Sequence, residues 1–166
     1  MSRDRRERGD APGSGPEWFD AADAESGKPG LRFSCTMCGN CCSGPPGYVS
    51  FTEDEAAAIA ARLDISLESF MDGYTHATPA GRSLREVPGQ NGLDCVFLDR
   101  QSMPGKAICG IYEDRPAQCR TWPFWEINLR SKRQWEQARR TCPGMGHGTQ
   151  YTPLQIRTIR DRDRDA

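Results

Sequence analysis

The chain has 166 residues, of which 36% are apolar, and a formal net charge of -1. This length suits one domain with a modest core, and 17 glycines and 12 prolines favour loops over long regular elements. The near-neutral charge argues against nucleic-acid binding, and no stretch has the length and apolarity of a transmembrane helix.

The first 30 residues are polar, mixed in charge and rich in Gly and Pro, which predicts a disordered N-terminal arm over residues 1–30. Trp18 and Phe19 could anchor this arm on the domain, although two aromatic residues in a flexible tail are more often incidental. The arm lacks the apolar segment of a secretory signal, so we expect a cytoplasmic protein that is not associated with membranes. Thiols stay reduced in that compartment, and a cysteine-rich chain is then expected to bind metal or to be catalytic.

The predicted domain, residues 31–148, begins with four cysteines in "FSCTMCGNCC". Cys35, Cys38 and Cys41 form C-x2-C-x2-C, a spacing that lets one tight loop direct three sulfurs at one centre. Bacterial ferredoxins use this spacing for the first three ligands of a [4Fe-4S] cluster. Structural zinc sites more often pair two C-x2-C knuckles, so the spacing favours an iron-sulfur cluster, with zinc as the alternative cofactor.

Two neighbours of these cysteines carry further expectations. Gly39 is expected to adopt a left-handed backbone conformation that lets the loop turn. Cys42 directly follows Cys41. Adjacent side chains in extended backbone point apart, so we expect these two thiols to serve different partners.

Two helices follow the cysteine loop. In "FTEDEAAAIAARL", Thr52 and Glu55 form a capping box ahead of an apolar stripe at helical spacing: Ala56, Ile59, Ala60 and Leu63. "SLESFMDGY" has Ser66 as its predicted N-cap, and its apolar residues are expected to pack in the core: Leu67, Phe70, Met71 and Tyr74.

The segment after these helices predicts β-structure. "SLREV" is a weak strand, and "DCVFLD" and "KAICGIY" read as the two strands of a hairpin with a long loop. Cys95 begins the first hairpin strand and Cys109 lies on the second, so the hairpin is expected to bring these thiols together.

Two more helices are expected before residue 148. Pro116 suits the first turn of a short helix that carries Cys119 and that Pro123 ends. Arg115 and Arg120 flank this cysteine and could lower its pKa or donate hydrogen bonds to sulfur. The favoured interpretation is structural: Arg115 pairs with Glu113 or a helix end, and Trp122, Phe124 and Trp125 are core residues. "LRSKRQWEQARR" predicts a basic helix ahead of Cys142, and its charges could face solvent or a protein partner.

The remaining candidates are weaker. Residues 149–166, ending in "IRDRDRDA", are expected to form a polar C-terminal tail. His147 is a conceivable metal ligand, whereas His76 is expected at the surface. The chain has no Gly-rich phosphate loop, no plausible Ser-His-Asp set and no C-x3-C-x2-C of radical S-adenosylmethionine enzymes.

The eight cysteines allow two centres of four thiols each. Cys119 is the expected fourth ligand of the centre built by Cys35, Cys38 and Cys41, because a short helix presents it rigidly. The four left over match a second tetrahedral set: Cys42, Cys95, Cys109 and Cys142. One centre with spare thiols is the simpler alternative.

Four blocks of the sequence carry a resemblance to a known family: "CTMCGNCC", "CVFLD", "CGIYEDRPAQCRTWPF" and "CPGMG". Their order and spacing over Phe33 to Gly146 resemble the YkgJ-like bacterial cysteine-cluster family, which is described as zinc- or iron-chelating. The resemblance implies a domain folded around metal, often catalogued as an iron-sulfur oxidoreductase and related in motif to flagellin lysine N-methylases. By position it implies eight metal-binding residues: Cys35, Cys38, Cys41, Cys42, Cys95, Cys109, Cys119 and Cys142.

Together these features predict an α+β fold: a small, loop-rich, metal-stapled domain with a short hairpin or sheet and several short helices. The predicted function is a metal-binding protein that holds an iron-sulfur cluster, [4Fe-4S] by its spacing, for a redox, sensing or carrier role. The alternatives are a zinc-stapled interaction domain and a metal-dependent enzyme that modifies proteins. No catalytic residue and no specific partner follow from the sequence.

Overall fold

The computed structural model describes residues 15–23 and 26–164, with side chains up to residue 162. Its helices are α1 (Glu53–Arg62), α2 (Leu67–Tyr74), α3 (Ala117–Thr121), α4 (Glu126–Leu129), α5 (Lys132–Arg139) and α6 (Pro153–Arg164). Its strands are β1 (Leu31–Phe33), β2 (Ser43–Gly44), β3 (Thr75–Thr78), β4 (Gly81–Leu84), β5 (Glu86–Gly89), β6 (Gly92–Cys95), β7 (Leu98–Asp99), β8 (Ile108–Cys109) and β9 (Thr149–Tyr151). This mixture of short helices and small antiparallel sheets confirms the predicted α+β class.

The strands form separate small sheets in the described part of the chain. β1 pairs with β9, β3 with β4, and β7 with β8, while β6 lies between β2 and β5 in a three-stranded sheet. All of these pairings are antiparallel. The predicted hairpin is therefore reduced to the two-residue strands β7 and β8, and Cys95 lies in another sheet opposite Glu86.

The helix that follows the cysteine loop forms as its sequence predicts. The Thr52 Oγ1 accepts a hydrogen bond from the Glu55 N–H at 3.2 Å, and Glu55 Oε2 accepts one from the Thr52 N–H at 2.9 Å. This capping box satisfies two N–H groups that an α-helix leaves unpaired at its start. The predicted stripe packs inward along α1, because Ala56, Ile59 and Ala60 are all buried.

The next helix, α2, confirms one part of its prediction and corrects another. Ser66 caps it by accepting a hydrogen bond from the Ser69 N–H at 3.0 Å, and Phe70 is fully buried. Leu67, however, is 44% exposed. It is the first residue of the helix, and Phe70, one turn later, is the helix's buried residue.

Buried side chains form two separate cores. The middle core contains residues from the centre of the chain: Ala56, Ile59, Ala60, Phe70, Leu84, Phe97 and Ile111. The terminal core combines the two ends with α4 and α5: Phe19, Leu31, Phe124, Leu129, Trp135, Cys142, Met145 and Ile156.

Chain ends that the sequence assigns to an arm and a tail contribute to the terminal core. Phe19 is 1% exposed, and Arg157 of α6 donates a hydrogen bond to the Asp20 carboxylate at 2.7 Å. β9 pairs with β1, and Ile156 of α6 is fully buried. The segment expected to form a polar tail thus contains β9 and α6, and Ile156 and Ile159 of α6 pack in the terminal core, whereas Leu154 is 73% exposed.

The domain limits at residues 31 and 148 stay a prediction. Residues 1–14 of the predicted arm and 165–166 of the predicted tail lie outside the described residues, as do 24–25. Across the described ranges, none of the helices combines the length and apolarity needed to cross a membrane.

Candidate metal centre

The cysteine loop joins β1 to β2 and is held by long-range hydrogen bonds. The Ala107 N–H donates to the Met37 carbonyl at 2.8 Å, and the Asn40 Nδ2 donates to the Thr141 carbonyl at 2.6 Å. Gly39 has a φ of 74°, as its position predicts. A Cβ on Gly39 would lie 2.6 Å from the Ala107 Cβ, so only glycine fits this turn without a shift of its neighbour.

Six of the eight cysteines line one cavity of about 100 Å³. They come from the loop, from two different sheets and from α3: Cys35, Cys41, Cys42, Cys95, Cys109 and Cys119. We call this space the thiol cavity. Its other walls are mostly apolar and aromatic and include Met37, Ile108 and Trp125, while Arg115 supplies a charged side chain.

The thiol cavity mixes the two groups of four that the sequence predicts. It holds Cys35, Cys41 and Cys119 of the first group together with Cys42, Cys95 and Cys109 of the second. The other two cysteines, Cys38 and Cys142, do not line it. Burial raises the pKa of the Cys142 thiol, and Cys38 adds a smaller rise.

The adjacent pair Cys41 and Cys42 differs from expectation. Their Sγ atoms lie 3.6 Å apart, and both residues line the thiol cavity. The cause is the 3₁₀ turn over Asn40–Cys42, which rotates successive side chains by about 120° instead of the alternation of extended backbone.

The hydrogen bond between these two thiols separates their pKa values. As acceptor, Cys41 has its pKa lowered to about 7, with Arg115 adding a smaller effect. The pKa of Cys42 is raised, because its proton is held between the two sulfurs and because the site is buried. One of the two is therefore substantially a thiolate near neutral pH, which is the form that binds metal.

Burial raises the pKa of three other thiols in the cavity. It raises the pKa of Cys95 to about 11 and that of Cys119 to about 12, and neighbouring thiols add to both increases. Burial also raises the pKa of Cys109, although the cation of Arg115 opposes this rise. A bound cation would favour the thiolate form of each of these residues.

Two arginines place positive charge beside the thiols. The Arg115 Nε donates to the Tyr112 carbonyl at 2.8 Å, and its guanidinium lies 3.6 Å from the centre of the Tyr112 ring. Arg115 therefore contacts Tyr112 and not Glu113, the partner that the structural interpretation of the sequence suggests. Arg120 donates through Nε to the Arg115 carbonyl and so holds the neighbouring backbone rather than a sulfur.

The sequence analysis missed a third arginine near the thiols, Arg100. Its Nε donates to the Asp94 carboxylate at 2.9 Å, and its Nη2 donates to the Ser43 hydroxyl at 2.6 Å. The negative charges of Cys42 and Cys38 raise its pKa further, after the larger effect of Asp94. No local sequence signal marks this network, because β2 and β6 bring its members together.

The aromatic residues after Cys119 divide between the core and the site. Phe124 is buried in the terminal core, as the structural interpretation predicts, whereas Trp122 and Trp125 line the thiol cavity. The Trp122 Nε1 is buried and makes no hydrogen bond among the described residues. It lies close enough to the Cys142 sulfur to oppose the rise in that thiol's pKa, so a thiolate there would be its natural acceptor. Neither His76 nor His147 lines the cavity.

The donor chemistry fits a thiophilic metal ion, and the sulfur positions need adjustment to bind one. Within residues 15–23 and 26–164, no three His, Cys, Asp or Glu side chains are already arranged to hold a metal ion. The fit rests on the six convergent thiols and on the low pKa of Cys41. Soft sulfur ligands select zinc or iron-sulfur clusters over hard cations.

The fold and the thiol cavity define a small cysteine-cluster domain. The sequence model of the CxxCxxCC family, described as a putative zinc- or iron-chelating domain, matches residues 34–143. The chain therefore belongs to this family, which confirms the predicted cysteine-cluster resemblance. No solved structure matches the chain.

Proposed function

We propose that the chain is a metal-binding protein whose thiol cavity holds an iron-sulfur cluster, [4Fe-4S] by its loop spacing, in a redox, sensing or carrier role. The observation that carries the proposal is the convergence of six cysteines on one cavity. Tetrahedral zinc and a [4Fe-4S] cluster each take four cysteine ligands, so the number of thiols alone favours neither. The C-x2-C-x2-C spacing of the loop favours the cluster, and the thiols left over would be available to a second centre.

The proposed principal ligands are the six cavity cysteines and Cys38, the middle cysteine of the C-x2-C-x2-C loop, and Cys142 is a proposed accessory ligand. Bound iron-sulfur would supply electron transfer or a response to oxidants at this position. Arg115, which lowers the pKa of Cys41, and Arg100, whose own pKa Cys42 and Cys38 help to raise, would offset the negative charge of several thiolates. The apolar wall would limit the access of water.

Exposure of the loop favours this function over a zinc-stapled interaction domain. Cys35 and Cys41 are exposed, and both also line a wide cleft outside the thiol cavity. A structural zinc site is usually closed by its four protein ligands, whereas redox and sensing centres need a route to a partner or reactant. The same opening keeps a metal-dependent enzyme as the second candidate, because an enzyme needs a cleft beside its metal.

Anaerobic expression and purification, followed by iron, zinc and acid-labile sulfide analysis, test the proposal. We expect brown protein whose visible absorption is bleached by dithionite, because zinc has a filled d shell and gives no such absorption. Colourless protein with stoichiometric zinc, obtained anaerobically with ample iron, would overturn the iron-sulfur proposal and favour the zinc domain.

A pair of matched substitutions tests the location of the metal. Cys119→Ser removes a thiol from the cavity, and Cys142→Ser removes one outside it. We expect the first to lower the metal content per chain far more than the second. Equal metal content in both variants and the wild type would contradict the cavity as the binding site, and two separable losses would support two centres.

A further inference from the structure

A cleft of about 660 Å³ lies directly outside the thiol cavity. Six residues line both spaces: Cys35, Cys41, Tyr112, Arg115, Cys119 and Trp122. A molecule in this cleft would therefore contact the outer side of three cysteines. We call it the arginine cleft, because Arg115, Arg120 and Arg162 line it.

The positive charge of the arginine cleft is only partly balanced by its own walls, because three arginines line it together with Glu55 and the Cys41 thiol, whose pKa Arg115 helps to lower. Among the described residues, no carboxylate forms an ion pair with Arg115 or Arg120. Glu55 is the carboxylate that lines the cleft, and both of its oxygens accept backbone hydrogen bonds, from Thr52 and Ala117. Both arginines use Nε on backbone carbonyls, so the terminal nitrogens of each guanidinium can still donate to a ligand.

Besides its arginines, the cleft is lined largely by aromatic side chains. Phe33, Trp122, Phe124 and Tyr151 line the cleft, and Tyr112 lies at its edge with 48% of its surface exposed. The Arg115 guanidinium stacks over the Tyr112 ring, which orients its planar fork. Cations beside an aromatic wall are complementary to an anion that has an apolar body.

We propose that the arginine cleft binds a small organic anion, with its carboxylate or phosphate group on Arg115 and Arg120 and its apolar body on Trp122 and Tyr112. Bidentate guanidinium contacts suit both of these oxyanions. The bound molecule lies against Cys35, Cys41 and Cys119, so the cleft is a ligand site beside the thiol cavity. The proposal goes beyond metal binding and does not depend on which metal the cysteines hold.

Isothermal titration of the purified full-length protein tests this site with three matched probes: phenylacetate, phenyl phosphate and the neutral phenylacetamide. We expect saturable binding of at least one anion and at least about tenfold weaker binding of the amide, because a hydrogen bond to a charged group contributes about that factor. The stronger of the two anions identifies the preferred oxyanion. Absence of saturable binding of both anions below about 10 mM, or equal affinity for the amide, would overturn the proposal.

Substitutions locate the binding. Arg120→Gln should weaken the preferred anion about tenfold or more, and the double variant with Arg115→Gln should weaken it further. Arg133→Gln is the charge-matched control, because Arg133 is exposed on α5 and does not line the cleft. Unchanged affinity in Arg120→Gln and in the double variant would overturn the proposal.

Metal content and circular dichroism of the same samples separate this test from that of the metal centre. Arg120 does not line the thiol cavity, so Arg120→Gln should keep its metal while it loses anion affinity. Anion binding that persists in a sample with little metal would uphold the cleft and count against metal binding. Wild-type protein that keeps its metal but binds no anion would support metal binding and overturn the proposed anion site.

Discussion

The middle core and the terminal core are built in different ways. The middle core draws on residues that are near one another in sequence, and it is organised by the capped helices α1 and α2. The terminal core joins Phe19 to Ile156 and needs both ends of the chain. Local patterns in the sequence therefore describe the first core well and the second poorly.

The cysteines connect these two cores. Cys95 and Cys109 pack against the middle core, while Cys142 is part of the terminal core. Trp122 packs against the terminal core and also lines the thiol cavity. A metal bound in the thiol cavity by Cys35, which lies shortly after β1 of the terminal core, and by Cys95 and Cys109 would join the two cores.

Removal of the metal is expected to have the largest effect. The metal-free, reduced protein should lose its native circular dichroism spectrum and its cooperative melting transition, because structural metal binding can contribute about 10 kcal/mol or more to folding. Amide hydrogen exchange should show that both cores lose protection. A stripped, reduced sample with the native spectrum and melting temperature would show that the cores hold together without metal.

Truncation of one buried isoleucine in each core is expected to have the next largest effect. Ile59 and Ile156 are both 0% exposed, whereas Ile127 is 57% exposed and provides the matched control. Ile59→Ala and Ile156→Ala should each lower the free energy of unfolding by about 2–5 kcal/mol. Urea denaturation measures these changes, and Ile127→Ala should cost less than about 0.5 kcal/mol.

The two isoleucine variants also sharpen the comparison of the cores. If metal joins the cores, each variant should lower the melting temperature of the whole domain in one transition. A variant that melts one core while the other stays folded would show that the halves are independent.

Loss of the α1 cap should weaken the middle core by a smaller amount. Thr52→Ala removes the acceptor for the Glu55 N–H and should cost about 1 kcal/mol of unfolding free energy. Thr52→Ser keeps a hydroxyl at the same place and should recover most of this loss. Equal destabilisation by both substitutions in urea would contradict the capping role.

The smallest expected effect is a pH dependence in the terminal core. The hydrogen bond from Arg157 lowers the pKa of Asp20 in the folded protein. Its stabilisation is therefore present above the unfolded pKa of about 3.9 and is lost as the pH falls through the lower folded value. The ion pair is partly exposed, so it should contribute no more than about 1 kcal/mol.

Asp20→Asn tests this dependence. The variant should lose less unfolding free energy than the wild type between pH 5 and pH 2, a window of about three units around the unfolded pKa. Asp72→Asn, at an exposed position of α2, controls for the removal of one carboxylate. An identical pH profile for Asp20→Asn and the wild type would show that this ion pair does not stabilise the terminal core.

Much of the middle core and of the cysteine loop could be predicted from the sequence alone. The capping box at Thr52, the buried face of α1 and the left-handed turn at Gly39 depend on residues within a few positions of each other. The cysteine blocks also identified the family, because their order and spacing lie along the chain itself. Such features depend on hydrogen bonds and helical periodicity within one short segment of the chain.

The tertiary structure alone decided which thiols share a cavity. Cys41 and Cys42 face the same space because of a single 3₁₀ turn, and Cys95 reaches it from a different sheet than Cys109. The contribution of α6 to the terminal core likewise depended on Ile156 finding partners far along the chain. Contacts of this kind arise from the packing of distant surfaces, and the spacing of residues along one segment does not encode them.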